Sequence, residues 1–498
     1  MKNPLLATAV SCIALSFAGT ACGDDAAPSK MTSTKASART SPVRQKTTPP
    51  AKARSTPPII LMSIDTLRAD HLSCYGYGRD TSPNIDEFAQ EAVLFERAIS
   101  QAAVTAPAHM SLFTGLTPAV HRVFNHSEDG AANNTLAPTI KTLAEILTEQ
   151  GYLSMGYHGG GNVSGDLGFA RGFESYTRRQ VRWAKLRENP DALEPIRETI
   201  RRSRSEDKPL FLFLHNYICH DPYVTAPEVD RLRYLKDPVP SLPVSFEDLA
   251  GRAKGTNPRA RFWRNVRLAN PKHLDHIVSL YDGDIHYADF VFGRVEALLR
   301  EEKIWNQAFV ILLSDHGEEF FEHGDKLHWR LFVETLHVPL IVKYPSGAHA
   351  GTRVSQVVRS FDVMPTLLEA MGLDSTAGMQ ATSLSPLLAT PADYKPLIIS
   401  YANQKPGGAL RFQDEQYVYS NQSSHRCDEW VFDAASDPRE RHNLAAQRPT
   451  VAQTLAARAS RVKSANQRLA EQLNSRDGDL VEPDEEVMAE LQALGYVK

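Results

Sequence analysis

Ile59-Ile60-Leu61-Met62-Ser63-Ile64-Asp65 is an almost unbroken β-type apolar run that ends on an acid. Phe309-Val310-Ile311-Leu312-Leu313 repeats the pattern and leads into Ser314-Asp315-His316-Gly317-Glu318. Leu210-Phe211-Leu212-Phe213-Leu214 does so again, leading into His215-Asn216-Tyr217-Ile218-Cys219-His220-Asp221-Pro222-Tyr223. Short runs that are apolar at consecutive positions, separated by long helical stretches, read as parallel strands buried on both faces. An α/β fold follows. In open α/β sheets ligands bind beyond the carboxyl ends of the strands, so acids and histidines far apart in sequence are expected to converge there.

Around these runs, Pro83-Asn84 opens a helical stretch with Ile85, Phe88, Ala92 and Phe95 on its apolar side, and His273 to Leu299 forms a longer one. Asp282, Asp284 and Asp289 in the latter read as a solvated or capping set rather than as ligands. A chain of 498 residues, 42% hydrophobic and 23% charged, can bury a large core in two subdomains. Its net charge of −4 gives no basic face for nucleic acid. The five cysteines show no C-x-x-C spacing, so neither a zinc ribbon nor a disulfide framework is indicated.

The first residues stand apart from the fold. Met1-Lys2 and the short apolar stretch to Phe17 read as an export signal, and Ala18-Gly19-Thr20-Ala21-Cys22 resembles a bacterial lipobox with Gly19 where Leu is usual. Ordinary cleavage after Ala21 is the alternative. Residues 23–57 are rich in Ser, Thr, Pro, Ala, Lys and Arg and read as a flexible tether. The expected organisation is a signal peptide of lipoprotein type (1–22), the tether (23–57), a catalytic domain (58–390) and a C-terminal subdomain (391–498), exported to the cell envelope or periplasm. The membrane would be met only through a lipid on Cys22.

Asp65-Thr66-Leu67-Arg68-Ala69-Asp70-His71-Leu72 through Cys74-Tyr75-Gly76, Ser314-Asp315-His316-Gly317-Glu318, and Trp430-Val431-Phe432-Asp433 to Asp437-Pro438-Arg439-Glu440 with Asn443-Leu444 resemble, in order, motifs of the sulfatases of the alkaline phosphatase superfamily. The resemblance spans residues 57–498. It implies a large mixed, mostly parallel sheet flanked by helices, with a smaller C-terminal α+β subdomain ending in a helix near Glu485–Leu494.

Thr105-Ala106-Pro107-Ala108-His109-Met110-Ser111-Leu112-Phe113-Thr114-Gly115 has the outline of that family's C-x-P-S-R-x-x-x-T-G signature, with Thr for Cys and His for Arg. Without the Cys no formylglycine forms. The resemblance makes Thr105 the nucleophile, a hydroxyl that needs a metal or base to activate it. It makes Asp65, Thr105, Asp315 and His316 the ligands of one divalent metal, a set similar to one zinc site of the nucleotide pyrophosphatases and phosphoethanolamine transferases, where a Thr is the nucleophile. Thr66 stands where a second Asp is usual, and loss of a carboxylate beside a His favours zinc or manganese over calcium.

Asn216, a weak neutral ligand, precedes His220 where a second metal would need an Asp. His220 is then a contact to the ester oxygen or a hydrogen-bonding loop residue. His328 matches a family Lys and is a cation, a general acid or a ligand; His109 replaces the family Arg and, with Thr105, His220 and His328, is a candidate catalytic residue, the three histidines being candidate protonated donors. His323 is weighed beside them. Gly156-Tyr157-His158-Gly159-Gly160-Gly161 is either an anion-binding backbone or a flexible loop, with Asn162 a weak contact. Arg178, Arg179, Arg182, Arg259, Arg261 and Arg264 read as solvated faces.

The expected activity is hydrolysis of a sulfate or phosphate ester of a small molecule or glycan. The alternatives are a phosphoryl-group transferase using the same Thr, which lacks the membrane-spanning bundle such enzymes carry, and an inactive binding protein on the same scaffold.

Overall fold

The computed structural model describes residues 56–498 apart from 126–132, 179, 246, 249–257, 268–269, 377, 390–393, 395–397, 402–408, 423–428, 474–479 and 482–498. The expected signal peptide, nearly all of the tether and the helix near 485–494 lie outside the described residues.

Nine strands form the main sheet: β1 (Ile59–Ile64), β2 (Val93–Ile99), β3 (Leu153–His158), β4 (Ser175–Arg178), β5 (Leu210–Asn216), β6 (Phe309–Leu313), β7 (His337–Val338), β8 (Leu340–Lys343) and β9 (Arg353–Arg359). Their order is β7-β2-β8-β6-β1-β5-β3-β4, with β9 also on β2. The three runs singled out in the sequence are its centre: β1 pairs in parallel with β5 and with β6, in registers that place Ile59 beside both Phe211 and Phe309. β3 continues the parallel half, whereas β8 runs antiparallel to β6 and β2. The sheet is mixed and mostly parallel.

Every residue of β1, β5 and β6 is buried because both faces are covered. Ile60, Met62, Leu212, Leu214, Val310 and Leu312 pack with residues of the helices α1 (Pro83–Gln90) and α3 (Pro271–Glu301). Leu61, Phe211, Phe213, Phe309, Ile311 and Leu313 pack on the other face with α2 (Thr105–Thr114) and helix Val363–Ala370. Alternation survives in a continuous apolar run as a choice between two cores.

The first helix is shorter than its apolar pattern suggests. It ends at Gln90, and Phe95 belongs to β2. A four-stranded antiparallel sheet, Ile398–Tyr401, Leu410–Gln413, Tyr417–Ser420 and Trp430–Asp433, forms the C-terminal part with helix Pro449–Gln472 against it. Among the described residues no helix is long and apolar enough to cross a membrane. Arg182 and Arg264 are exposed, as read from sequence, while Arg178 is half-buried on β4. Arg179 and the side chains of Arg259 and Arg261 lie outside the description.

The three acids of α3 require correction: all are buried, so none is solvated. Asp289 does cap, accepting the Ile85 N–H at 2.8 Å at the start of α1. Asp282 accepts from His71, Tyr77 and Arg79. Asp284 accepts the Ala226 N–H at 2.8 Å, and burial pushes its carboxyl from 3.8 up to about 8. A carboxyl raised in the folded state contributes stability that is full below the unfolded value and lost as pH rises through the folded one. Relative to the parent, Asp284→Asn is therefore expected to gain roughly a few degrees of Tm between pH 4 and pH 9. Parallel melting curves across that range, read by calorimetry, would refute the assignment.

Candidate active site

Asp65 extends β1 by one residue, its N–H bonding Asn216 O at 3.0 Å. Thr66 then takes φ of +58°, a conformation costly for a β-branched residue and found where surrounding structure enforces it. That turn aims the Thr66 N–H at Asp315 Oδ1, 3.4 Å away, and the Leu67 N–H at Ser314 Oγ, 3.0 Å away. The ends of β1 and β6 are thereby laced together. Gly317 lets the second segment close on its neighbour, since a Cβ there would lie 2.1 Å from the Glu334 carbonyl.

Thr105 is the first residue of α2, with Pro107 in its first turn. The Ala106 N–H at the open helix end is taken by Asn125 Oδ1 at 2.7 Å. Thr105 Oγ1 lies 3.2 Å from Asp65 Oδ2 and 3.4 Å from His316 Nε2. Ligand atoms of Asp65, Asp315 and His316 all fall within 4.8 Å of one another, and all four residues are buried. His316 Nδ1 donates to Gly317 O at 2.9 Å, which leaves the Nε2 lone pair facing the acids. Burial first, then the neighbouring Asp315, pushes the Asp65 carboxyl well above the usual range. Two carboxyl groups and an imidazole so placed could hold a cation between them.

The histidines divide. His328 Nδ1 lies 3.1 Å from Glu318 Oε1, and its ring is 4.4 Å from that of His316 and 5.5 Å from that of His220. His220 Nδ1 donates to the Asp221 carbonyl at 3.0 Å. His109 is held from both sides, with Nε2 2.9 Å from Ser63 Oγ and Nδ1 3.0 Å from Thr105 O. Burial lowers its pKa, which weighs against the protonated donor expected there, and the two contacts hold the ring as a brace under Thr105 and beside Asp315. His323 bonds Glu334 and stacks on Phe332, outside the group.

The glycine-rich segment is also corrected. Gly156, Tyr157 and His158 are strand residues, the Gly159 N–H donates to His215 Nδ1 at 3.3 Å and the Gly160 N–H to His158 Nδ1 at 3.1 Å. Neither N–H is open to an anion, and Asn162 is buried in the turn that follows. Sequence reasoning missed two side chains: Glu318, quoted within a motif but given no role, and His215, the penultimate residue of β5. A histidine at the carboxyl end of a central strand was the available signal for the latter.

A parallel centre that delivers acids and a histidine to the mouth of a helix-covered sheet, with a hydroxyl at a helix start beside them, defines an ester hydrolase of the alkaline phosphatase-like class. A family model described as Sulfatase matches residues 57–373, and one for the C-terminal part of N-sulphoglucosamine sulphohydrolase matches 322–467. The chain belongs to the sulfatase family, hydrolases of sulfuric or phosphoric esters. It is 25% identical over 387 residues to human iduronate 2-sulfatase (Homo sapiens), covering 66% of this chain and 68% of that protein. It is 24% identical over 475 residues to the multifunctional alkaline phosphatase superfamily protein PehA of Trinickia caryophylli, covering 78% and 91%. The phosphonate monoester hydrolase of Agrobacterium radiobacter shares the fold, with a TM-score of 0.63 at 21% identity over 82% of this chain and 96% of that one.

Proposed function

We propose that this chain is a metal-dependent hydrolase in which Thr105 Oγ1 is the nucleophile, and that it cleaves phosphate esters of a small molecule or glycan in preference to sulfate esters. One observation carries the reading: the Thr105 hydroxyl sits at the start of α2, within 3.4 Å of both Asp65 and His316. A helix N-terminus favours developing negative charge there. The iduronate 2-sulfatase and phosphonate monoester hydrolase among the relatives support the ester class.

The residues fit a divalent ion. Asp65 Oδ1 and Asp315 Oδ2 are buried without a hydrogen bond, a state that buried carboxylates avoid unless a cation meets them. Asp65, Asp315 and His316 would hold the ion with Thr105 completing the set, and two carboxylates with one imidazole suit zinc or manganese better than calcium. Bound there, the ion supplies positive charge beside the Thr105 oxygen and the transferring group.

Thr105 Oγ1 attacks phosphorus and passes its proton to Asp65 Oδ2, which already accepts it at 3.2 Å and later returns it, while the bond from phosphorus to the ester oxygen breaks. His328, oriented by Glu318, protonates the departing alcohol. Water then attacks the phosphoryl-threonine and gives a proton back to His328. The Thr105–phosphorus bond breaks, the hydroxyl regains its proton and phosphate leaves. His220, beside His328, lines the same side of the reacting group. The preference for phosphate follows from this second attack: formylglycine expels sulfate by elimination, a route closed to a threonine ester.

The test compares an aryl phosphate, an aryl phosphodiester and an aryl sulfate of one leaving group, with Thr105→Ala as the blank. Either phosphate rate is expected to exceed the sulfate rate. A Thr105-dependent sulfate rate above both phosphate rates would refute the preference. Residues 1–22 support a place outside the cytoplasm, with Cys22 as the site of a lipid anchor.

A further inference from the structure

His215 stands in β5 beside Ser63 of β1, on the sheet face that carries α2. Its Nδ1 accepts the Gly159 N–H at 3.3 Å, so the ring proton sits on Nε2. That Nε2 is fully buried and has no hydrogen-bond partner. It lies 3.7 Å from Asp65 Oδ2, too far for a hydrogen bond to it. The same oxygen accepts the Thr105 hydroxyl at 3.2 Å, so the N–H and the hydroxyl approach one point from different elements.

The ring cannot swing freely. His109 meets it edge-on with centroids 5.0 Å apart, and Tyr217 does so at 4.6 Å. A buried donor without a partner is rare in folded proteins and calls for one. The roles already assigned leave it out, since Asp65, Asp315 and His316 form the ligand set and His328 is turned to Glu318.

We propose that His215 donates its Nε2–H to a non-bridging oxygen of the group that Thr105 accepts, a role that rests on the reading of Thr105 as nucleophile. Nε2 and Thr105 Oγ1 both lie against Asp65 Oδ2, at 3.7 Å and 3.2 Å, so an oxygen of a tetrahedral group bonded to Thr105 Oγ1 is the partner this arrangement offers to Nε2. A fixed neutral donor strengthens its bond as that oxygen gains charge in the transition state, without having to reorganise. A phosphoryl or sulfuryl oxygen meets the requirement equally; a ligand with no anionic oxygen does not.

The test uses the zinc-loaded full-length protein with His215→Phe, which keeps a ring and deletes the donor, and His215→Gln, which keeps an N–H. Three quantities are read: metal content, kcat/KM on an aryl phosphate and the inhibition constant of inorganic phosphate. For His215→Phe, kcat/KM is expected to fall about 10²-fold, in the range for loss of one such donor. The phosphate constant should rise about 10-fold at unchanged metal content, and His215→Gln should recover part of both. Unchanged kinetics and phosphate affinity in His215→Phe would overturn the proposal. So would loss of metal in parallel with activity and no recovery in His215→Gln, which would make His215 a support for Asp65. Phosphate binding to Thr105→Ala and to Thr105→Ala/His215→Phe, measured by calorimetry, separates the two readings. An active Thr105→Ala removes the nucleophile, whereas equal phosphate affinity in the pair removes His215.

Discussion

Thr105→Ala is expected to lower kcat/KM on an aryl ester by at least about 10³-fold while the protein remains folded and metal-loaded. The size follows from the role, because losing a group that bonds covalently to the reacting centre closes the route instead of weakening it. The fold should survive for a local reason. Ala removes one hydroxyl and one methyl from a buried helix start whose Ala106 N–H is already capped by Asn125, and Asp65, Asp315 and His316 keep their places. Thr105→Ser restores the hydroxyl without the methyl that fixes its rotamer and should retain a measurable fraction of turnover. The check is steady-state kinetics at saturating metal alongside a thermal melt; turnover of Thr105→Ala near the parent's would end the mechanism.

Asp315→Asn should act on the metal. Asp315 Oδ1 faces the Thr66 N–H and Oδ2 lies 3.4 Å from His316 Nε2, so the substitution removes a charge from the middle of the set with almost no change of shape. Metal affinity is expected to fall by at least about 100-fold, exceeding the effect of losing an outer-shell partner, and activity with it. In the parent, a chelator should remove activity and lower the melting temperature, because Asp65 and Asp315 are then left facing one another in a buried site. Zinc or manganese should restore both more fully than calcium. Stoichiometric calcium without a transition metal, by elemental analysis, would contradict the donor-set argument.

How much of this was legible depended on whether the informative partner lay nearby in the chain. The three apolar runs were readable as central strands because their composition alone demands burial on both faces, and their terminal acids and histidines then had one place to meet. The helix opened at Pro83 was drawn too long because Ala92 and Phe95 continue a helical apolar phase, although Phe95 points into a core from β2. Asp282 and Asp284 looked solvated because their partners, His71, Tyr77, Arg79 and Ala226, come from segments distant in sequence that no helical spacing connects to them. His215 was missed for a subtler reason. Its meaning rests on which nitrogen holds the proton, and that is decided by the N–H of Gly159, just beyond the end of β3. His109 sat in a motif and was visible, but only its depth shows that the ring is a brace.

β1 is flanked by strands that enter the chain much later: Ile59 pairs with Phe211 and with Phe309. During synthesis the emerging β1 therefore waits, apolar but for Ser63 and with both edges open, while its neighbours are still being made. Contacts of such sequence separation slow folding and expose aggregation-prone edges, so the young chain needs protection until its later half arrives. The proposed ion-binding set is assembled only when β6 docks and carries Asp315 and His316 up to Asp65. On the proposed reading, metal capture would thus be a late event in the life of each molecule, open only to chains that have completed their central sheet, because Asp65, Asp315 and His316 form the one such cluster among the described residues.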